Sequence, residues 1–402
     1  MRIVEHSLLL EALRARRARL SAVEKTVSGI IRQVQERGDD ALRELTRRYD
    51  GVDVTDFRVS PEEVKAARKS FLTPPWRARV GRVADRLRRF AEREQPVGFR
   101  LEGPEGVTER RYLPVLSAGL YVPAGTAPLV STVLMSVVPA QVAGVKRIVV
   151  CTPPDRTGRP NQAVVAVAAC LGVGEIYRVG GAQAVAALAC GTASIPRVRL
   201  VAGPGNEYVA AAKRLLYGVV ALDCPAGPSE VVVYADGSAD PAVVLAELAA
   251  QAEHHAGLAV LVTPDRKLTA RAQASPVPGY VAVVGGGEAF ALISEIAPEH
   301  LVLLCRQAGR AARKALNAGA VFIGPHSPVA LGDYLAGPSH VLPTGGAAAS
   351  FAGLSTHTFL RPQALIRWKL AGLRRWAEDL EALARLEGLP AHARSVSVRR
   401  GD

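Results

Sequence analysis

The sequence predicts an α/β fold built from two parallel sheets, each covered by helices. From about residue 146 onward a strand, a turn and a helix repeat, beginning with KRIVVCTPP and a helix over 161–171. The strands are nearly continuous apolar runs such as SEVVVYA and HLVLLC, which is typical of parallel strands buried on both faces. The repeat falls into two blocks, about 121–228 and 229–330. We therefore expect two doubly wound, incomplete Rossmann-like sheets with helical N- and C-terminal extensions.

The segments that flank these blocks are predicted to be helical. The N-terminal flanking segment is predicted to form helices over 22–49 and 60–94. The second helix begins at Ser60, which is followed directly by a proline and has a glutamate three residues after it. The uncharged run 112–145 contains four prolines, so we interpret it as buried strands and turns, not as a membrane span. Residues 360–402 are predicted to form a helical tail. The predicted parts are a helical segment over 1–120 that packs partly on the second α/β domain, α/β domains over 121–228 and 229–355, and a tail over 356–402.

Composition limits the class of protein. The chain has 402 residues, of which 49% are hydrophobic and 22% charged, which excludes an intrinsically disordered protein. Glu5 and Glu11 interrupt the apolar N-terminal stretch, so it is a poor signal peptide. The five cysteines include no C-x-x-C pair. We therefore expect reduced, mostly buried thiols in a cytoplasmic protein with no membrane association.

The net charge of +13 raises the possibility of nucleic-acid binding. The excess lies at the two ends, because residues 1–111 carry 25 Lys and Arg against 18 Asp and Glu, and residues 361–402 carry 9 against 5. Residues 112–360 are nearly balanced, with 16 against 14. We interpret the basic residues as solvated faces of amphipathic helices, and we expect no nucleic-acid partner.

Two glycine-rich turns follow predicted strands and open helices. They are Gly180-Gly181-Ala182-Gln183 and Gly203-Pro204-Gly205-Asn206. Bare backbone at a helix N-terminus favours a phosphate, and ligands of open α/β sheets bind at these strand ends. The second turn does not match G-x-G-x-x-G, so from spacing alone a pair of tight turns between strand and helix explains both equally well.

Several polar residues stand out between these elements. Gln251 and His254 lie at i and i+3 near the end of a helix predicted over 240–255, and they could supply half of a metal site or form a satisfied surface cluster. Glu299 and His300 lie between a helix and the strand HLVLLC. They could form a general base with a neighbouring carboxylate, or a capped loop.

Two later segments also carry candidate residues. Residues 332–344 are rich in glycine and proline, which indicates a loop, and they include Asp333 and His340. Such a loop after the last strand is typical of an active site. Glu387 and His392 lie in the tail, where an isolated histidine is usually just exposed.

Seven motifs together resemble the histidinol dehydrogenase family and occur in that family's order. The resemblance covers nearly the whole chain and includes RGDDALRELTRRYDG near its start. The seven motifs are GLYVPAGTAPL (119–129), VGGAQAVAALACGT (179–192), GPGNEYV (203–209), DCPAGPSE (223–230), QAEH (251–254), PEHL (298–301) and GDYLAGPSHVLPT (332–344).

The resemblance implies an enzyme that oxidises L-histidinol to L-histidine through L-histidinaldehyde, using two NAD⁺ and one Zn²⁺ per subunit. It implies that His300 takes the hydroxyl proton and that Glu299 activates the water that adds to the aldehyde. The implied zinc ligands are Gln251, His254, Asp333 and His392. The implied NAD contacts are Tyr121, Gln183 and Asn206. The implied substrate contacts are Ser229, Gln251, His254, His300, Asp333, Glu387 and His392.

The resemblance further implies a homodimer whose tails are exchanged, so that Glu387 and His392 reach the partner's site. One alternative is a related zinc- and NAD-dependent dehydrogenase that acts on another amino- or sulfo-alcohol. A nucleic-acid-binding α/β protein and a zinc hydrolase are alternatives from other classes.

Overall fold

The computed structural model describes residues 1–124, 128–254 and 256–400. Residues 125–127 of the motif over 119–129, residue 255 and the last two residues of the predicted tail lie outside the described residues. The chain forms two compact units. One comprises Met1–Glu94 and Val115–Phe359, and the other comprises Gln95–Pro114 and Leu360–Asp402.

Strands and helices alternate through most of the chain. The strands are β1 (Arg2–Ile3), β2 (Phe99–Gly103), β3 (Gly106–Pro114), β4 (Ser117–Tyr121), β5 (Arg147–Thr152), β6 (Glu175–Arg178), β7 (Leu200–Ala202), β8 (Ala221–Leu222), β9 (Glu230–Ala235), β10 (Leu258–Thr263), β11 (Tyr280–Val283), β12 (His300–Leu304), β13 (Ala320–Ile323) and β14 (Leu360–Trp368). The α-helices are α1 (His6–Ala22), α2 (Glu24–Arg37), α3 (Asp39–Asp50), α4 (Pro61–Phe71), α5 (Pro74–Arg93), α6 (Val130–Val142), α7 (Gln162–Cys170), α8 (Gly181–Cys190), α9 (Glu207–Leu215), α10 (Pro241–Ala252), α11 (Arg266–Ala274), α12 (Gly286–Ile296), α13 (Ala308–Ala312), α14 (Val329–Tyr334), α15 (Leu370–Leu386) and α16 (Pro390–Arg400).

The first unit contains two parallel sheets, which confirms the predicted α/β fold. The five-stranded sheet has the order β6-β5-β4-β7-β8. Its central strands are mostly apolar and buried, and α2, α3, α8 and α9 pack on it in one core. Because β4 pairs with β5 on one side and β7 on the other, the direction in which strands are added reverses at β4.

The second sheet has six parallel strands in the order β1-β11-β10-β9-β12-β13. The first residues of the chain form its edge strand, since β1 pairs with β11. Leu9 and Leu13 of α1 lie in the core that covers one face of this sheet. Val244, Leu248 and Val329 belong to the core on its other face.

The N-terminal helices are shorter than predicted. The helix expected over 22–49 is divided at Gly38, whose φ of +53° is incompatible with a continuous helix. The helix expected over 60–94 is divided between Phe71 and Pro74. The predicted start at Ser60 is confirmed, because Ser60 and Glu63 form a reciprocal capping box.

Strands and turns were predicted over 112–145, and that prediction is wrong for α6. This helix carries Pro139 in its interior and is buried through nearly its whole length, from Thr132 to Ala140. A helix buried on all sides has no amphipathic period, so its sequence resembles a buried strand.

The second unit is not purely helical, in contrast to the predicted extensions. Its strands form an antiparallel sheet in the order β14-β3-β2, and α15 and α16 follow β14. The predicted helical tail therefore begins with a nine-residue strand, Leu360–Trp368, that pairs along the whole of β3.

None of the helices within the described ranges has the length and hydropathy needed to cross a membrane. All five cysteines are free thiols. Cys151 and Cys224 are buried and Cys170 is exposed, so fewer of them are buried than the sequence predicted.

Candidate active site

Glu299 and His300 lie at the amino end of β12, next to the start of β9 in the six-stranded sheet. The preceding helix α12 ends at Ile296 and is capped by Ala297, a non-glycine residue with φ of +48°, and Pro298 follows. Backbone strain of this kind persists where the surrounding structure fixes the chain. Glu299 is 6% exposed and His300 is 4% exposed. Two ionisable side chains are therefore buried at the amino end of an internal strand of the sheet.

The carboxylate of Glu299 collects hydrogen-bond donors at one oxygen. Ser229 Oγ donates to Oε2 at 2.7 Å, and the backbone N–H of Glu230 donates to the same atom at 2.9 Å. His300 Nδ1 lies 3.5 Å from it. The two hydrogen bonds from Ser229 and Glu230 fix the orientation of this carboxylate.

The loop that carries Ser229 is fixed from the other side by residues 344 and 345. The backbone N–H of Gly227 donates to Thr344 Oγ1 at 2.8 Å, and that of Gly345 donates to Glu230 Oε1 at 2.9 Å. Both flanks of Ser229 are thus held by the segment that follows Asp333 and His340 in the chain.

The surroundings of His300 favour the neutral form of its imidazole. Burial lowers the pKa of its imidazole, while the nearby carboxylate of Asp333 opposes that shift. His300 Nε2 lies 3.9 Å from Asp333 Oδ1. The pKa of Asp333 is raised by burial, and His300 and His254 partly offset this.

Gln251 and His254 are close in the chain, but not on one helix as predicted. The helix α10 ends at Ala252, and His254 lies in the following turn, where its N–H donates to the carbonyl of Gln251. His254 is exposed, whereas Gln251 is 3% exposed. The amide Nε2 of Gln251 is buried and has no hydrogen-bond partner among the described residues, and Ser229 Oγ lies 3.5 Å from Oε1.

Asp333 lies in the last turn of α14, although a loop was predicted over 332–344. The half-buried His340 follows it, and its Nδ1 donates to the carbonyl oxygen of Asp333 at 2.9 Å. Its Nε2 therefore accepts from Thr132 Oγ1 of α6 at 3.0 Å. Burial lowers the pKa of His340 to about 4, which is consistent with this neutral tautomer. Thr132 was missed by the sequence analysis, because it lies in the run predicted as strands and turns.

Another residue that the sequence analysis missed is Glu247, one turn before Gln251 on α10. Its Oε2 accepts the backbone N–H of Val329 at 3.1 Å, and it interacts electrostatically with Asp333 and His300. Its spacing of four residues from Gln251 was the available signal, since residues at i and i+4 share a helix face.

The predicted NAD contacts lie at the carboxyl ends of the five-stranded sheet. Tyr121 ends β4, and its hydroxyl accepts the N–H of Gly181 at 3.2 Å. Gln183 is 2% exposed, and its amide oxygen packs over Gly181. Asn206 caps α9, because its Oδ1 accepts the N–H groups of Tyr208 and Val209. These residues surround the place where the strand order reverses, which is where open α/β sheets bind ligands.

A buried ion pair fixes the second glycine turn. Lys213 pairs with Asp223, and its Nζ donates to the carbonyls of Gly203 and Cys224 at 3.0 Å. Asp223 Oδ2 accepts the N–H of Gly203 at 2.8 Å. A Cβ at Gly203, whose φ is +122°, would collide with the carbonyl of Tyr121. The turn therefore requires glycine, and one ion pair holds both the turn and the start of the loop to Ser229.

Glu387 and His392 belong to the second unit. Glu387 is the C-cap of α15, His392 lies in the first turn of α16, and both are exposed. The first unit thus brings Ser229, Glu299 and His300 into contact, with Gln251 and Asp333 adjoining them. Glu387 and His392 are part of the other unit, Gln95–Pro114 with Leu360–Asp402.

Among residues 1–124, 128–254 and 256–400, no three His, Cys, Asp or Glu side chains are placed to hold a metal ion. The predicted ligands are compatible with this result, because one of them is an amide and another belongs to the second unit. The donor chemistry fits zinc, since the first unit offers an imidazole, a carboxylate and the unpaired amide of Gln251. A 180° flip of the Gln251 amide would exchange the positions of its nitrogen and its oxygen, and the oxygen is the atom that can bind a metal ion.

Comparison with known proteins identifies relatives over nearly the whole chain. The family model described as histidinol dehydrogenase matches residues 13–276 and 277–400. A histidinol dehydrogenase of Halalkalibacterium halodurans is 41% identical over 400 residues, covering 94% of each chain. One from Synechococcus is 44% identical, covering 94% of this chain and 92% of the relative. The crystal structure of histidinol dehydrogenase from Elizabethkingia anophelis superposes with a TM-score of 0.87 at 34% identity, covering 94% of this chain and 92% of that one.

Proposed function

This chain belongs to the histidinol dehydrogenase family and carries that oxidoreductase activity of histidine biosynthesis, and we propose that it uses two NAD⁺ and one Zn²⁺ per subunit. The substrate is L-histidinol, which is oxidised through L-histidinaldehyde to L-histidine. The observation that carries the proposed mechanism is the buried group in which Ser229 Oγ donates to Glu299 Oε2 and His300 Nδ1 lies 3.5 Å from the same oxygen.

His300 is the base of the first oxidation. Because burial keeps its imidazole neutral, it can take the hydroxyl proton of histidinol as hydride leaves the same carbon. NAD⁺, when bound, supplies the acceptor for that hydride. One proton and one hydride leave the alcohol, and the product is the aldehyde.

Glu299 acts on the water that adds to the aldehyde. Its carboxylate is oriented by Ser229 Oγ and the Glu230 N–H, which both donate to Oε2, and it is the carboxylate that would take a proton from the water. As the water adds, the protonated His300 returns its proton to the carbonyl oxygen, which gives the hydrate and restores a neutral imidazole. The hydrogen on the same carbon then departs as a second hydride while His300 takes one hydroxyl proton, which leaves the carboxylic acid; both side chains finally release their protons to solvent. The near-complete burial of both side chains keeps bulk water from the aldehyde.

Gln251, His254 and Asp333 of the first unit, together with His392, would hold the zinc ion. When bound, zinc supplies a Lewis acid that orients the imidazole and amine of the substrate. Asp333 has its backbone fixed by His340, so its carboxylate direction is defined by the protein. Ser229 and Glu387 would contact the substrate.

The NAD site is proposed at Tyr121, Gln183 and Asn206. Asn206 uses its oxygen to cap α9, which leaves the amide nitrogen as a donor for a ribose or phosphate oxygen. The N-terminus of α8 at Gly181 adds backbone donors and a favourable dipole for the cofactor's phosphates.

We further propose a homodimer in which each tail completes the partner's site. The second unit supports this, because it exposes large apolar side chains that a monomer would leave in water. They include Ile366 (71% exposed), Leu383 (58%) and Leu386 (83%). A cytoplasmic location is part of the same proposal and agrees with five free thiols.

An assay of stoichiometry tests the cofactors. With limiting L-histidinol and excess NAD⁺, we expect two NADH per histidinol, loss of turnover on chelation, and recovery with Zn²⁺. Another amino- or sulfo-alcohol serves as the control substrate. Turnover of that alcohol but not of histidinol would favour the related dehydrogenase, and turnover that survives complete removal of metal would refute the zinc site.

A further inference from the structure

Glu247 is a half-buried carboxylate for which the reaction has no direct use. It lies on α10, one turn before Gln251, and faces α14. Its Oε2 accepts the N–H of Val329, the first residue of α14, at 3.1 Å. Residue 328 is a proline and offers no N–H, so Glu247 takes the first backbone donor of this short helix.

This hydrogen bond joins two segments that carry different proposed ligands. The helix α10 carries Gln251 and leads into His254, whereas α14 carries Asp333 four residues after Val329. The two helices also share an apolar core through Leu248 and Val329. Apolar packing is not directional, so the polar contact is what fixes the position of α14 along α10.

We propose that Glu247 is a positioning residue that holds Asp333 at the correct separation from Gln251 and His254 for a divalent cation. This inference rests on the proposed zinc site. Residues that orient metal ligands in this way typically change metal affinity 10–100-fold when they are removed. Glu247 acts through its acceptor oxygen, so a neutral side chain with the same oxygen should replace it.

The test measures zinc affinity of the metal-free full-length protein by competition with a chromogenic chelator. Glu247→Ala removes the acceptor, and we expect its zinc dissociation constant to rise roughly 10–100-fold. Glu247→Gln keeps an acceptor oxygen and should stay within about threefold of the wild type. Glu288→Ala, which removes an exposed carboxylate from α12, is the matched control and should leave zinc affinity unchanged.

A second variant removes the donor and leaves Glu247 in place. Val329→Pro deletes the N–H at a position where proline suits a helix start. It should weaken zinc binding about as much as Glu247→Ala, and the double variant should be no weaker than either single one. Thermal unfolding of the metal-free variants shows whether each of them is folded. If Glu247→Ala does not fold, the two single variants Glu247→Gln and Val329→Pro together test the contact.

The outcomes separate this inference from the function on which it rests. A wild-type protein that binds no zinc would overturn both. Stoichiometric zinc binding by the wild type with unchanged affinity in Glu247→Ala would overturn the role of Glu247 alone. Equal weakening in Glu247→Gln and Glu247→Ala would show that the negative charge matters, and would also overturn positioning through the hydrogen bond.

Discussion

At the scale of single residues, the position of Glu299 suggests which half of the reaction it serves. We predict that Glu299→Gln slows the aldehyde step about 10²–10⁴-fold, because an amide cannot take a proton from water. The alcohol step should change much less, since His300 remains. A single turnover with excess NAD⁺ should then show a burst of one NADH per site followed by a slow second one.

The control for this experiment is Ser229→Ala, which removes one hydrogen bond to Glu299 but keeps the carboxylate. It should slow both steps modestly, because Ser229 is also a proposed substrate contact. Equal slowing of both steps in Glu299→Gln would argue against a separate role for Glu299 in activating water.

Asp50 gives a prediction about pH. Burial raises the pKa of Asp50 to about 6 from the ordinary value of 3.8. Between these values the folded state binds more protons than the unfolded state, so this residue's contribution to stability is present below pH 4 and is lost as the pH rises through 6. The variant Asp50→Asn has no ionisable group at this position, so its stability does not fall in this way as the pH rises. It should be more stable than the wild type by about 1–2 kcal/mol at pH 7.5, after allowing for residual exposure.

Urea unfolding at several pH values measures this difference. The two proteins should converge in relative stability below about pH 3, because the wild-type carboxyl, whose pKa is 3.8 when unfolded, is then largely protonated in both states. A stability difference that stays constant between pH 4 and 7.5 would contradict a raised pKa in the folded protein.

Some of these residues could be found from the sequence, and others could not. Ser229, Glu299 and His300 lie in motifs that carry reactive side chains between predicted elements, and the structure brings them together. Glu247 is four residues from Gln251, but only the three-dimensional position of Val329 distinguishes it from an exposed glutamate. Contacts between residues 82 positions apart leave no local pattern.

At the scale of elements, the buried pair of Lys213 and Asp223 organises the end of β7 and the start of the loop to Ser229. We predict that Lys213→Met destabilises the protein by about 3–5 kcal/mol, because it leaves the Asp223 carboxylate buried without a partner. Lys213→Met with Asp223→Asn should recover much of that loss. The asparagine is uncharged and still offers an acceptor to the Gly203 N–H.

The midpoint of urea unfolding compares the three proteins. NAD affinity provides a second measurement, because the pair holds the turn that leads to Asn206. A double variant as unstable as Lys213→Met alone would show that the hydrogen bonds of Lys213 to the two carbonyls, not its charge, stabilise the turn.

The alternating strands and helices could be predicted because each buried parallel strand has its own apolar run. The elements that were predicted wrongly are defined by their surroundings. The helix α6 is apolar on all sides, and β14 exists because it pairs with β3 about 250 residues earlier in the chain. The Gly38 break was visible as a glycine, but its φ of +53° was not.

At the scale of the whole molecule, the proposed site is divided between the two units. The proposed ligands Gln251, His254 and Asp333 belong to the first unit, and His392 belongs to the second. His392 and Glu387 are exposed within one chain, as are Ile366, Leu383 and Leu386. Association of two chains would give these side chains partners, since large exposed apolar patches commonly mark interfaces.

Mixing two inactive variants tests whether the tail of one chain completes the site of another. His300→Ala lacks the base, and His392→Ala lacks a proposed ligand, so each homodimer should be nearly inactive. In a heterodimer with crossed tails, one site combines both changes, whereas the other has a native His300 and a native His392. Equal mixing makes half of the dimers mixed, so activity should return to about a quarter of the wild type. If each tail served its own chain, every site would keep one change, and verified subunit exchange would restore nothing.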